Sequence, residues 1–275
     1  MSAADTTSAV VAPALQVLGI GVIGPGLPDW ATARATLGAP GRWADAPVVA
    51  PAPARLPPAE RRRSGAIVKF SLAVAEQAVA MAGVDPRTLA TVFSASSGDG
   101  ANCDALCAAL ALPDRVVSPT RFTNSVHNAP AGYWHIGCAS RAPSTSLCGY
   151  DASFGAGLLE AASQALRWRR PVLLVSADVP YPEPLHGRRP LVAPFGAALL
   201  LSPEPHPGAP VLRFDTGRFR PDACADAGLE ALRTGVPAAR SLPLLQALAA
   251  GGSGQVTLAL AGELALRLQL EGGTP

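Results

Sequence analysis

One cysteine stands where small polar residues give way to a long apolar helix pattern. Pro143 to Trp168 reads PSTSLCGYDASFGAGLLEAASQALRW. Gly149, next to Cys148, permits the sharp bend that a strand-to-helix turn needs. Helical apolar spacing runs from about Ala152, and Asp151 or Ser153 could cap its start by accepting from the free amides there. The positive end of a helix dipole favours a thiolate, the form that attacks a carbonyl. Cys148 is therefore the nucleophile candidate. Free cysteines are also among the most buried residue types, so a structural thiol is the equal alternative.

Two further stretches carry polar groups at turns. Ser118 to Gly137 reads SPTRFTNSVHNAPAGYWHIG. Ser125 or Asn128 can cap a helix there, with Pro130 in its first turn. His127 falls at the helix entrance and His135 within it, and a lone histidine in such a place is more often structural than catalytic. Ala90 to Ala95 is a short buried strand running into Ser96-Ser97-Gly98-Asp99-Gly100. That has the look of a phosphate or oxyanion loop, but the ending of a P-loop is absent, which disfavours nucleotides.

Other nucleophile and cofactor schemes fit less well. No G-x-S-x-G elbow is present. Gly19-Ile20-Gly21-Val22-Ile23-Gly24 matches a dinucleotide fingerprint as letters, yet it lies inside an apparent strand and no helix opens from it. No cofactor is expected. Cys103 and Cys107 lie four apart with no close second pair to complete a zinc site, so they read as one helix face and no metal is expected.

The composition is that of a globular chain. With 275 residues it can form one large domain or two small ones. Half the residues are hydrophobic (49%), enough for a buried core, yet no apolar run is long enough to span a bilayer. The first residues lack the basic start of a signal peptide, so a cytoplasmic, bacterial-type protein is expected. Five cysteines argue against a disulfide framework. A net charge of +2 is too small to imply nucleic acid. Arg61-Arg62-Arg63 is the dense basic cluster, a solvated face or a contact for an acidic partner.

The elements needed to hold these groups alternate. Leu15 to Ile23 reads as a strand ending at Gly24-Pro25-Gly26, and Asp29 caps a helix to Leu37. Residues 38–58, rich in proline and alanine, read as a long loop. A helix spans Ser64 to Ala82 with Gly83 as its stop. Asn102 to Leu110 is a helix, and Pro171 to Ala177 and Phe195 to Leu201 are buried strands. A loop with Tyr181, His186, Arg188 and Arg189 lies between the last two. In the tail, Val211 to Phe214 and Gln255 to Leu260 suggest strands, and Ala223 to Arg233 and Ser241 to Ala250 helices. The order favours an α/β domain with a mixed sheet covered by helices.

Taken together, four stretches resemble a known family. Phe93-Ser94-Ala95-Ser96-Ser97-Gly98-Asp99-Gly100, Asn128-Ala129-Pro130-Ala131-Gly132, Ser144-Thr145-Ser146-Leu147-Cys148 and Phe195-Gly196-Ala197-Ala198-Leu199-Leu200-Leu201 come in the order and approximate spacing of the N-terminal half of β-ketoacyl synthases. Over roughly residues 15–203 the chain resembles the short ketosynthase-like chain-length factors of aryl-polyene type. The resemblance implies a thiolase-like α/β fold: a single half with a five-stranded mixed sheet layered with helices, over 15–270, after a disordered stretch 1–14. It implies Cys148 at the catalytic position, with His127, Asn128 and Phe154 as binding residues. The family's catalytic histidines come from a second half, and no histidine here sits in their sequence contexts. Glycines fall seven and nine positions after Cys148, where the family has one at eight.

Three functions are compatible with this. The chain could be a subunit that pairs with a full-length ketosynthase as a heterodimer and shapes its acyl tunnel, in fatty-acid, polyketide or aryl-polyene biosynthesis. It could be an acyltransferase in its own right, carrying an acyl thioester on Cys148, as a homodimer. It could be a module that binds acyl carrier protein through Arg61 to Arg63 or through Arg188 and Arg189.

Overall fold

The computed structural model describes residues 13–273. The disordered stretch expected over 1–14 lies outside the described residues up to position 12, and Ala14 already belongs to the first strand. In chain order the elements are β1 (Ala14–Ile23), α1 (Trp30–Leu37), α2 (Pro58–Arg63), α3 (Ala66–Ala82), β2 (Ala90–Ser94), α4 (Gly100–Ala111), α5 (Pro119–Thr123), α6 (Ala129–Cys138), β3 (Ser144–Leu147), α7 (Ser153–Trp168), β4 (Val172–Asp178), α8 (Leu185–Arg188), β5 (Phe195–Ser202), β6 (Val211–Gly217), α9 (Ala227–Gly235), α10 (Leu242–Ala250), β7 (Gly254–Ala259) and β8 (Ala265–Glu271). Among these residues no helix is long and apolar enough to cross a membrane.

One mixed sheet in the order β3-β2-β4-β5-β1-β6-β8-β7 carries the fold. β2 runs parallel to β3 and β4, and the remaining pairs are antiparallel. The sheet thus has eight strands among the described residues, not the five expected. Five of them, β3-β2-β4-β5-β1, make the anticipated unit. β6 then joins β1 through a short ladder, Ala14 to Gln16 against Val211 to Arg213, and brings β8 and β7 with it. From Leu266 onward β8 alternates, with Leu266, Leu268 and Leu270 buried and Arg267, Gln269 and Glu271 more exposed. Its apolar side joins the interior shared with α7, and β7 beside it packs on α10.

The central strands are buried on both faces, and their alternation divides the interior in two. Leu173, Val175, Ala198 and Leu200 pack with α3 and α6. Val172, Leu174, Leu199 and Leu201 pack with α7, α10 and the inner faces of β6, β7 and β8. Gly19 and Gly21 of β1 lie on α3. A side chain at either would drive into the main-chain carbonyls of Ala78 and Val74. The dinucleotide-like letters are therefore a close strand-to-helix contact.

Local signals explain the helix boundaries. Asp29 accepts from the Thr32 amide at 2.7 Å and starts α1, and Gly83 ends α3 in the left-handed conformation (φ 64°). The long loop ends at Pro58, where α2 opens. It is strapped down by Trp43, whose indole donates to the Pro25 carbonyl at 2.8 Å, and by Leu56, which is buried.

The two glycines of α7 touch different parts of the sheet. A side chain on Gly157 would meet Ser94 and Leu174, and one on Gly155 would meet the Ala259 carbonyl at the end of β7. α7 is clamped between the five-stranded unit and the added strands. Its seven-and-nine glycine spacing matches two close approaches to one sheet, at β2 and β4 and at the end of β7.

Candidate functional site

Cys148 follows β3 directly and is exposed. Its thiol donates to the Ser96 carbonyl at 3.0 Å, and the Tyr150 amide points back at the sulfur at 3.5 Å. Among the described residues, no histidine is hydrogen-bonded to it. The expected helix cap is absent in the form anticipated. A 3-10 turn over residues 150–152 intervenes before α7, and neither Asp151 nor Ser153 caps the helix start. Ser153 instead accepts from the Gly149 amide at 3.0 Å and donates to the Tyr150 carbonyl at 2.7 Å. It locks the turn rather than the helix.

Asp151 serves a different purpose. Its carboxylate takes Arg189 at 2.9 Å and Arg240 at 3.4 Å. These arginines come from the segment after α8 and from the 3-10 turn over 237–241. The Arg189 guanidinium also lies over the Tyr150 ring, 3.6 Å from its centroid. Arg189 is consequently committed inside the fold, with a side chain only 19% exposed. It is not the free basic group expected for a carrier contact. Of the other basic cluster, Arg61 bonds the carbonyls of Ala54 and Leu56 and Arg63 pairs with Glu60.

Behind the cysteine turn lies a cavity of about 370 Å³, walled by the Ser96 to Gly100 loop, Cys103, His127, Tyr150, Tyr181 and Arg189. The Tyr181 hydroxyl bonds the Ser97 hydroxyl at 2.7 Å, and its ring sits tightly on Gly100. Below the loop is Asp178, the last residue of β4 and almost fully buried. One of its oxygens accepts from the Ser96 amide at 2.8 Å and the other from the Ala238 amide at 2.8 Å. Burial pushes its carboxyl up to about 6, with the two amide bonds opposing the rise. Asp178 thus ties the loop that holds the Cys148 thiol to the C-terminal segment.

His127 and Asn128 open onto a second, larger cavity of about 600 Å³, shared with His135, Ser144 and Ser146. His127 borders both spaces. Its Nε2 and that of His135 are buried without a hydrogen-bond partner among the described residues. Phe154 is placed elsewhere: it is fully buried in the first turn of α7 and lines neither cavity. The residues that sequence reasoning missed are Tyr181, Asp178 and Arg240, together with the inward role of Arg189. Asp178 left one signal, a carboxylate closing a run of buried apolar residues, where it must find partners.

The family model of the β-ketoacyl synthase N-terminal domain matches residues 32–254. No curated protein matches the sequence. Solved structures do. A ketosynthase (ApeO) in complex with its chain length factor (ApeC) from Xenorhabdus doucetiae aligns with a TM-score of 0.70 at 20% identity, over 93% of this chain and 98% of that one. The ishigamide ketosynthase/chain length factor aligns at 0.71 and 15%, over 94% and 99%. AntDE:AntF, a type II PKS acyl-carrier protein in complex with its ketosynthase bound to the hexaketide, aligns at 0.73 and 12%, over 95% and 99%. At these identities the likeness is one of fold. The α/β, thiolase-like architecture read from the sequence is the one observed, with three more strands than expected.

Proposed function

The chain belongs to the β-ketoacyl synthase N-terminal-domain family, and from that premise we propose that it is a ketosynthase-like subunit of chain-length-factor type. It pairs with a full-length ketosynthase in the cytoplasm and shapes the acyl tunnel of that partner while acyl carrier protein delivers the chain. The pathway is of fatty-acid, polyketide or aryl-polyene type. The observation that carries this reading is the state of Cys148. Its hydrogen is given to a fixed main-chain carbonyl, and among the described residues no histidine bonds it. Acyl transfer to a thiol needs a base or a preformed thiolate, and the condensation that follows needs donors for an enolate.

The open edge of the sheet supports a pairing role. β3 is the outermost strand. Thr91 and Ala95 bond the carbonyls of Pro143 and Leu147. Alternate residues therefore turn inward, and Ser144 and Ser146 turn their main-chain groups outward. An unpaired edge beside a cavity of about 600 Å³ suits a strand and side chains from another chain.

The exposure of Cys148 favours the second reading, an acyltransferase that carries its own acyl group. Intact-mass spectrometry after incubation with acyl- and malonyl-carrier protein separates the two, with Cys148→Ala alongside. No mass gain on a reduced thiol, together with equimolar co-purification with a ketosynthase, is the expected result. An acyl-sized gain confined to the unmutated chain would replace the subunit reading with the enzyme one.

A further inference from the structure

β7 is an outermost strand whose sequence invites pairing. Val256 to Ala261 reads VTLALA, with no charge, no proline and no glycine. A segment of that kind adds readily to a copy of itself. Its outer main chain is nevertheless occupied. Residues 218–226, between β6 and α9, cross it, and Asp222 meets Thr257 with two groups. The Asp222 amide donates to the Thr257 carbonyl at 2.9 Å, and the Asp222 carboxylate accepts from the Thr257 amide at 2.9 Å. One residue thus supplies both the donor and the acceptor that a neighbouring strand would offer.

Burial does not explain the course of the crossing segment, which is exposed at Arg218 and again from Arg220 to Ala223. It is fastened on either side of Asp222 instead. Arg218 pairs with Glu263, in the turn between β7 and β8, at 2.8 Å. Arg267 of β8 lies over the Phe219 ring, 4.0 Å from its centroid. Beyond Asp222, Cys224 is buried and its amide donates to Glu230 of α9 at 2.8 Å. Asp226 then caps α9. Along β7 itself alternate residues turn outward, so Gln255 and Ala259 flank Thr257. The Ala259 carbonyl is packed on Gly155 of α7. Thr257 is the centre of the edge that Asp222 covers.

We propose that residues 218–226 are a strap that shuts the β7 edge, and that release of Asp222 lets two copies of this chain pair β7 to β7. The occupant is a second copy because the strand is complementary to itself. An antiparallel pair centred on Thr257 sets Val256 of one copy opposite Leu258 of the other, and the apolar row continues across the junction. An edge of this composition left open is a liability, and the strap removes it. At the opposite edge, β3 has no such cover among the described residues.

The test uses the full chain. Sedimentation velocity over a concentration series reads self-association, and hydrogen exchange followed by NMR reads the Thr257 amide. Asp222→Pro removes the main-chain donor and the carboxylate together. It is expected to tighten self-association by about tenfold or more over the unmutated chain. Its Thr257 amide should exchange faster than in the unmutated chain at low concentration and be protected again at high concentration. Asp222→Asn keeps a donor and an acceptor and should behave as the unmutated chain does. Unchanged association in Asp222→Pro, or tighter association that leaves the Thr257 amide exchanging freely, would overturn the strap. Should Asp222→Pro not fold, Asp222→Ala, which keeps the main-chain donor, decides in its place: tighter association than the unmutated chain supports the strap, and equal association overturns it.

Discussion

Asp178 couples protonation to the site through two amide bonds. Its carboxyl is raised by burial to about 6 from an ordinary value of 3.8. The folded state then holds a proton that the unfolded state has lost between those two values, so stability falls as pH rises from about 4 to about 6. A shift of that size corresponds to roughly 3 kcal/mol over the window. Urea melts of the unmutated chain should show this slope, and Asp178→Asn should flatten it. Asp178→Ala should cost roughly 2–5 kcal/mol at pH 7, because it strands the buried amides of Ser96 and Ala238. A flat profile in the unmutated chain would remove Asp178 from the account.

The same residue shows what the sequence concealed at this scale. Cys148 was visible because a thiol beside a glycine at a turn is a local pattern. Its surroundings were not, because they arrive from far along the chain. Ser96 lies 52 residues away, Arg189 lies 38 from Asp151, and Ala238 lies 60 from Asp178. Spacing rules see i, i+3 and i, i+4 neighbours, and none of these pairs is one.

Among the elements, those with long apolar periods or clear stops were legible: β1, α1, α3, β4, β5 and α7. β3 was not, because its four residues are Ser, Thr, Ser and Leu, and its place is fixed by pairing with β2 rather than by burial. β8 was missed although its alternation was present, in a tail whose short strands pair mainly with one another. α2 is six residues long with no buried side chain, so no apolar face announced it.

α7 offers a test in which the sign decides. Glycine to alanine inside a helix ordinarily stabilises by roughly 0.5–1 kcal/mol. At Gly157 the added methyl would lie 2.7 Å from the Ser94 Oγ and 2.9 Å from a Leu174 methyl. Overpacking of that kind typically costs about 1–3 kcal/mol. Gly157→Ala is therefore expected to destabilise by roughly 1–2 kcal/mol in a denaturant melt. A stabilised variant would mean that α7 is not pressed onto β2 and β4 as described.

For the molecule as a whole, the decisive feature is the edge at β3, where no further strand pairs among the described residues. β7 is the outermost strand at the other end; it packs on α10, and its last residue, Ala259, lies against Gly155 of α7. An edge strand with free donors and acceptors is a liability unless something covers it. β3 carries no charge and no proline to blunt it. Ser144 and Ser146 present its outward main-chain groups, and the cavity beside them holds the unpartnered Nε2 atoms of His127 and His135.

If a partner strand adds there, a single outward amide should matter more to association than to folding. Ser146→Pro removes that amide. Proline is compatible with an edge strand, since its missing donor faces away from the sheet. The variant is expected to keep its melting temperature within a few degrees while association with the co-purifying ketosynthase weakens tenfold or more, read by isothermal titration. Ser146→Ala retains the amide and should bind within about threefold of the unmutated chain. If Ser146→Pro binds normally, the edge is not where the partner docks. The exposed Phe122, Val126 and Ile136 then become the surface to examine. If Ser146→Pro unfolds, Ser146 faces inward, and the alternation drawn from the Thr91 and Ala95 bonds is reversed.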